Sequence, residues 1–287
     1  MSESPQRRAW RVTEPLHAMI YFAPEATERY AELGVGPQDG YFASRGAVFG
    51  ECGPGVVTAT FYNFNPALVT RTLPAVWEST TPEAMSEARL SAVDAALTRG
   101  LGAGTLASPE VAEAAALARR AAEAATAWPQ GRPLFAAHAE LPWPDQPHLV
   151  LWHAQTLLRE FRGDGHIAAL VTAGVGGIEA LLLHVASGEA DERFLRVSRG
   201  WTREAWAAAA DGLRVRGLLD ADGGLTEAGR TLRADLEETT DRLAGPAYDA
   251  IGADNCVRLA ELTRPLSRTL VKAGMLNPRL PERKERS

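Results

Sequence analysis

Apolar residues recur at helical spacing through most of the second half of the chain. HLVLWHAQTLLREF reads as a helix that stops at Gly163, after which Asp164 is placed to cap a second helix, GHIAALVTA, ending at Gly174. GIEALLLHVAS forms a third helix and ends at Gly188. In TREAWAAAADGLRVRGLL, Trp206, Ala209, Ala210, Leu213 and Gly217 share one face, the stripe of a helix turned toward a core. LLDADGGLTEAGR then reads as a short strand, an Asp-Gly-Gly turn and a second strand, with Thr226 capping a long helix through ADLEETTDRLA.

The order of helix, Leu213, Arg216-Gly217-Leu218, tight hairpin and Leu225 to Arg230 resembles the winged helix of MarR-type regulators, over about a third of the chain. The whole chain is also similar to an actinobacterial family of helix-turn-helix-like proteins, mostly without assigned activity, through LHAMIYFAPE, GYFASRGAVFG, LREFRGDGH and LTEAGR.

The first half can be laid on the second. Gly46 matches Gly165, Gly53 and Gly55 match Gly174 and Gly176, Asn63 matches His184, and Arg99-Gly100-Leu101 matches Arg216-Gly217-Leu218. Ser108 and its alanine-rich helix then fall opposite Thr226. The expected fold is therefore mainly α, with two winged helix-turn-helix-like halves, an internal duplication and short β-hairpin wings. The expected domains are a degenerate winged-helix-like unit over 1–127, a proline-rich linker over 128–147, a MarR-like unit over 148–250, and a C-terminal helix and tail over 251–287.

A net charge of −6 and a pI near 5.6 argue against a polyanion or an anionic membrane surface as the main partner. Two cysteines, Cys52 and Cys256, suit reduced thiols in a cytoplasmic protein, and no apolar run is long enough to span a bilayer. Arginine replaces lysine except at Lys272 and Lys284, a coding bias that strips arginine abundance of functional meaning.

The expected recognition helix offers Arg203, Ala207, Asp211 and Arg214 outward, and the wing carries Asp220 and Asp222. From Gly200 to Tyr248 there are six arginines and nine acids, which disfavours phosphate contact and makes DNA the less favoured partner. A basic groove from Arg193, Arg196, Arg199 and Arg203 would need a homodimer.

Chemistry concentrates in LREFRGDGH, where Glu160, Asp164 and His166 are candidate acid/base groups and Arg159 and Arg162 candidate anion ligands. The plainer alternative is that Asp164 caps a helix while the arginines pair with Glu160. Tyr41, Ser44 and Arg45 are placed in a glycine-rich turn, and Tyr62, Asn63 and Asn65 in an aromatic setting that suits ligand orientation. Asn65-Pro66 also serves as a turn start. His184 joins the binding set, whereas His17 and His153 read first as core histidines.

HExxH, CxxC and ordered glycine phosphate motifs are absent, so no metal or cofactor is expected, with haem through His153, His166 or His184 a minor alternative. The favoured function is a small-molecule-binding, cofactor-independent enzyme performing acid/base-assisted elimination, hydrolysis or displacement on an anionic organic substrate. The alternatives are a MarR-like ligand-responsive regulator and a protein-docking scaffold.

Overall fold

A computed structural model describes residues 3–276, which are mainly helical. The first helices are α1 (Pro5–Ala18), α2 (Pro24–Glu32), α3 (Pro37–Gly46), α4 (Pro54–Thr60), α5 (Pro66–Thr72), α6 (Pro82–Leu101), α7 (Ala103–Leu106), α8 (Pro109–Ala125) and α9 (Pro133–Ala139). They are followed by α10 (Pro147–Thr172), α11 (Gly177–Ala186), α12 (Glu192–Ser198), α13 (Arg203–Val215), α14 (Glu227–Asp249) and α15 (Ala253–Lys272).

Nine of these helices begin on proline, which loses nothing at a first position that has no intrahelical acceptor for its N–H. Residues 128–147, dense in proline, accordingly contain α9, whose Leu134, Phe135 and His138 are buried in the main core.

Two cores form. The larger joins α1 to α9, the first part of α10, and α15, which lies along α1. The smaller joins the end of α10 to α11, α12, α13 and α14 through Leu170, Leu183, Trp206, Leu213 and Leu236. Helix α10 is the spine of both. It is buried on every face from Leu149 to Leu158, and its residues from Arg159 to His166 lie where one core gives way to the other.

Three expectations are corrected. Helix α10 runs through Gly163 and Gly165 without a break. A Cβ at Gly165 would stand 3.2 Å from Cβ of Leu243, so close packing against α14 explains the helical glycine. The segment with Tyr41, Ser44 and Arg45 is helix α3, not a turn. The Asp-Gly-Gly turn is closed by one isolated antiparallel bridge, Leu219 to Leu225, and no strand forms among the described residues.

Two winged halves and a duplication also lack support, because matched residues fall on unlike elements. Arg99 to Leu101 end α6, whereas Arg216 to Leu218 follow α13; Gly46 ends α3, whereas Gly165 is inside α10. Ser108 and Thr226 do both cap helices, accepting from the N–H of Val111 and of Gly229. Serine and threonine at the start of any helix would do the same.

Candidate functional site

A cavity of about 400 Å³ opens between the two cores. Tyr41, Arg45, Tyr62, Asn63, Arg159, Glu160, Arg162, Asp164, His166 and His184, all singled out in the sequence, line it. Helices α3 and α10, far apart in the chain, meet there through Arg45, whose Nη2 lies 2.7 Å from Oε1 of Glu160, both side chains being buried.

Two candidates stand elsewhere. Ser44 is buried behind α3, where its carbonyl accepts from Arg89. Asn65 caps α5 by accepting from the Ala67 N–H, and its amide donates to the Gly200 carbonyl at 3.0 Å.

The arginines expected to bind an anion are already engaged. Arg45 pairs with Glu160, Arg159 with Glu14 at 2.8 Å, and Arg162 with Asp241 at 2.6 Å and Glu237 at 3.2 Å. Arg162 also lies 4.2 Å from the centre of the Trp10 indole. Burial pushes the Glu160 carboxyl up, but Arg45 and Arg159 outweigh it and hold the group at about 2. Glu160 is thus a fixed anion within an ion-pair network.

Asp164 does cap a helix, but a remote one. Its Oδ2 accepts from the Phe135 N–H at 2.9 Å, satisfying the first turn of α9, whose own cap position, Arg132, supplies no side-chain acceptor. Burial pushes its carboxyl up to about 7, against the bonds from the α9 backbone and the charge of Arg132. His166 bonds through Nδ1 to the Thr240 hydroxyl at 2.9 Å, and burial lowers its pKa. Residues two apart on a helix face different ways, so Asp164 and His166 have separate partners and form no mutual hydrogen bond.

Sequence reasoning placed Arg199 only in a DNA groove and missed Trp10, Glu14, Phe61, Phe64, Arg233 and Thr240 as lining residues. Arg199 sits in the turn between α12 and α13. Its Nε is fully buried without a hydrogen-bond partner, its Nη1 reaches only the Ser198 hydroxyl, and the guanidinium lies 4.5 Å from the Phe64 ring centre. Burial lowers its pKa, and no carboxylate among the described residues pairs with it.

That turn is tied to the segment between α4 and α5. The Asn65 N–H donates to the Arg199 carbonyl at 2.9 Å, and the Trp201 indole donates to the Asn63 carbonyl at 2.9 Å. Tyr62 donates through its hydroxyl to the Val175 carbonyl at 2.7 Å, just before α11. Gly177 makes this approach feasible, because a Cβ there would stand 2.0 Å from the Tyr62 carbonyl oxygen. The signal left in the sequence was Arg199-Gly200-Trp201 itself, with Gly200 at a φ of 74°.

On the outer surface, Arg193 and Arg203 are exposed at α12 and at the start of α13. Of the acids that appeared to oppose DNA, Asp211 pairs with Arg214 at 2.7 Å, and the Asp220 carboxylate accepts the backbone N–H groups of Asp222 and Gly224 inside its own turn. Part of the negative charge near α13 therefore has a local structural use.

No group of three His, Cys, Asp or Glu side chains suited to a metal occurs among the described residues. No single helix among them is long and apolar enough to cross a membrane. Searches of curated proteins and of solved structures returned no match. The model of a helix-turn-helix family matches residues 6–277, nearly the whole chain, and the protein belongs to that helix-turn-helix family.

Proposed function

We propose that the protein is a ligand-responsive helix-turn-helix regulator whose small-molecule effector occupies the cavity between the two cores. The observation that carries this reading is the position of Arg199, which belongs to the turn leading into α13 yet lines the cavity. A ligand touching Arg199 acts on the element that sets the direction of α13. The sequence α11, α12, α13, bridged turn and α14 resembles a MarR-type unit with its wing reduced to a turn, and α13 would then face the major groove. A two-fold dimer would present two such helices.

For an effector to work, it must bind one placement of the turn better than another; couplings of this kind amount to about 1–3 kcal/mol. The test is binding to fragments of the host genome across a salt series, with Arg203→Ala alongside. Saturable, salt-sensitive binding at submicromolar protein that Arg203→Ala weakens supports the reading. Binding that is absent at low salt contradicts it.

A second reading, acid/base catalysis in the same cavity, is favoured by one observation: Asp164, held at about 7, is poised to exchange a proton near neutrality. His166 and the fixed charge of Glu160 would assist it. Turnover of a molecule copurified with the protein, lost in Asp164→Asn at unchanged binding, would support catalysis; equal turnover by both would remove it.

A further inference from the structure

Among the arginines on the cavity wall, charge is balanced except at one point. Arg45, Arg159, Arg162 and Arg233 each contact a carboxylate, Arg233 through Glu189 at 2.8 Å, and Arg199 alone among the lining arginines does not. A guanidinium held partly out of water with its Nε unpartnered has unspent hydrogen-bonding capacity and one uncompensated charge.

Tyr41 supplies a second free donor. Its oxygen accepts from Arg45 Nη1 at 2.6 Å, so its own O–H is not consumed by that contact and has no acceptor among the described residues. The Tyr41 and Phe64 ring centres are 5.3 Å apart, and Arg199 lies 4.5 Å from the centre of the same Phe64 ring, so that hydroxyl and guanidinium both neighbour one aromatic ring of the cavity wall. Burial raises the Tyr41 pKa, but the nearby charges of Arg45, Arg199 and Arg159 together bring it below the ordinary value.

We infer that the cavity takes a small organic monoanion with a flat apolar body, its anionic group held by the Arg199 guanidinium and the Tyr41 hydroxyl; this rests on the cavity being a ligand site. Phe61, Phe64, Leu170 and Leu181 supply apolar surface for the body. A second anionic group would find no unpaired arginine among the described lining residues and would face Glu14, Glu160 and Glu237 instead. A neutral ligand would leave Arg199 without its counter-charge. The volume suits a ligand of two or three fused rings or smaller.

The experiment is calorimetric titration of the full chain, without DNA, using naphthoate, its neutral isostere naphthamide, and naphthalene dicarboxylate. Naphthoate is expected to bind on the order of tenfold or more tighter than either of the others. Arg199→Gln is expected to erase the preference over naphthamide while leaving the melting temperature near that of the parent, and Tyr41→Phe to reduce it. The inference is overturned if naphthamide or the dicarboxylate binds as well as naphthoate, if Arg199→Gln keeps the preference, or if no probe binds. Calorimetry without DNA tests the monoanion by itself, and naphthoate that binds there but leaves DNA affinity unchanged in a separate binding assay counts against the regulator alone. A DNA response to neutral ligands counts against the monoanion alone.

Discussion

The backbone N–H of Asn65 donates to the carbonyl of Arg199 at 2.9 Å, joining a short segment of the larger core to the turn between α12 and α13. The Asn65 amide reaches the next carbonyl, that of Gly200, and Trp201 returns a bond to Asn63. The cavity, the strap formed by residues 62–65 and the turn before α13 are therefore one connected unit.

Asn65→Ala removes both the cap of α5 and the bond to Gly200, at an expected cost of about 1–2 kcal/mol. Hydrogen exchange should accelerate at residues 199–206 as well as around α5. Acceleration confined to α5 would mean that the strap does not hold the turn.

Gly177→Ala places a methyl group against the Tyr62 backbone, which cannot swing aside as a side chain could. We expect a loss of about 1–3 kcal/mol or more in urea unfolding. Gly212→Ala, in α13 with open space around its Cβ, should instead gain roughly 0.5–1 kcal/mol. Equal effects at the two glycines would contradict the close approach.

Glu160→Gln leaves Arg45 buried without its counter-ion, and a loss of about 3–5 kcal/mol is expected. Replacing both partners, as Arg45→Met with Glu160→Leu, should restore most of it. Denaturant titration of the two variants against the parent decides the matter.

Asp164 titrates near 7 when folded, against about 4 in an unfolded chain. Between those values the folded state keeps a proton that the unfolded state has lost. Stability from this group is thus full below about pH 4 and declines as pH rises toward 7. The buried His138 and His153, lowered by burial to about 3 and about 4, act oppositely, their contribution being lost as pH falls below about 6.5. Asp164→Asn keeps an acceptor for Phe135, so its stability relative to the parent should rise between pH 4 and pH 8, by an amount on the order of 4 kcal/mol. A flat difference would place the Asp164 carboxyl at its ordinary value.

Much of the second half was legible because its stripes and caps are local: the face of Trp206, Ala210 and Leu213 is buried, and Thr226 caps α14. Periodicity could not reveal that Gly163 and Gly165 lie within α10, because the packing of α14 on that helix comes from residues far along the chain. Proline-rich stretches resembled loops because proline marks both loops and first helical positions. The ion pair of Arg45 with Glu160 joins residues 115 apart in the chain and leaves no local signal. Arg199 stayed hidden because nothing local distinguishes a paired arginine from an unpaired one; only the positions of the carboxylates do.

The most direct test of the account is fluorescence anisotropy with the tightest-binding fragment of the host genome, titrated with protein in the presence and absence of saturating naphthoate. The account predicts that naphthoate changes the apparent Kd by about fivefold or more for the parent and leaves Arg199→Gln unaffected. An unchanged Kd for the parent, with naphthoate shown by calorimetry to be bound, would contradict it.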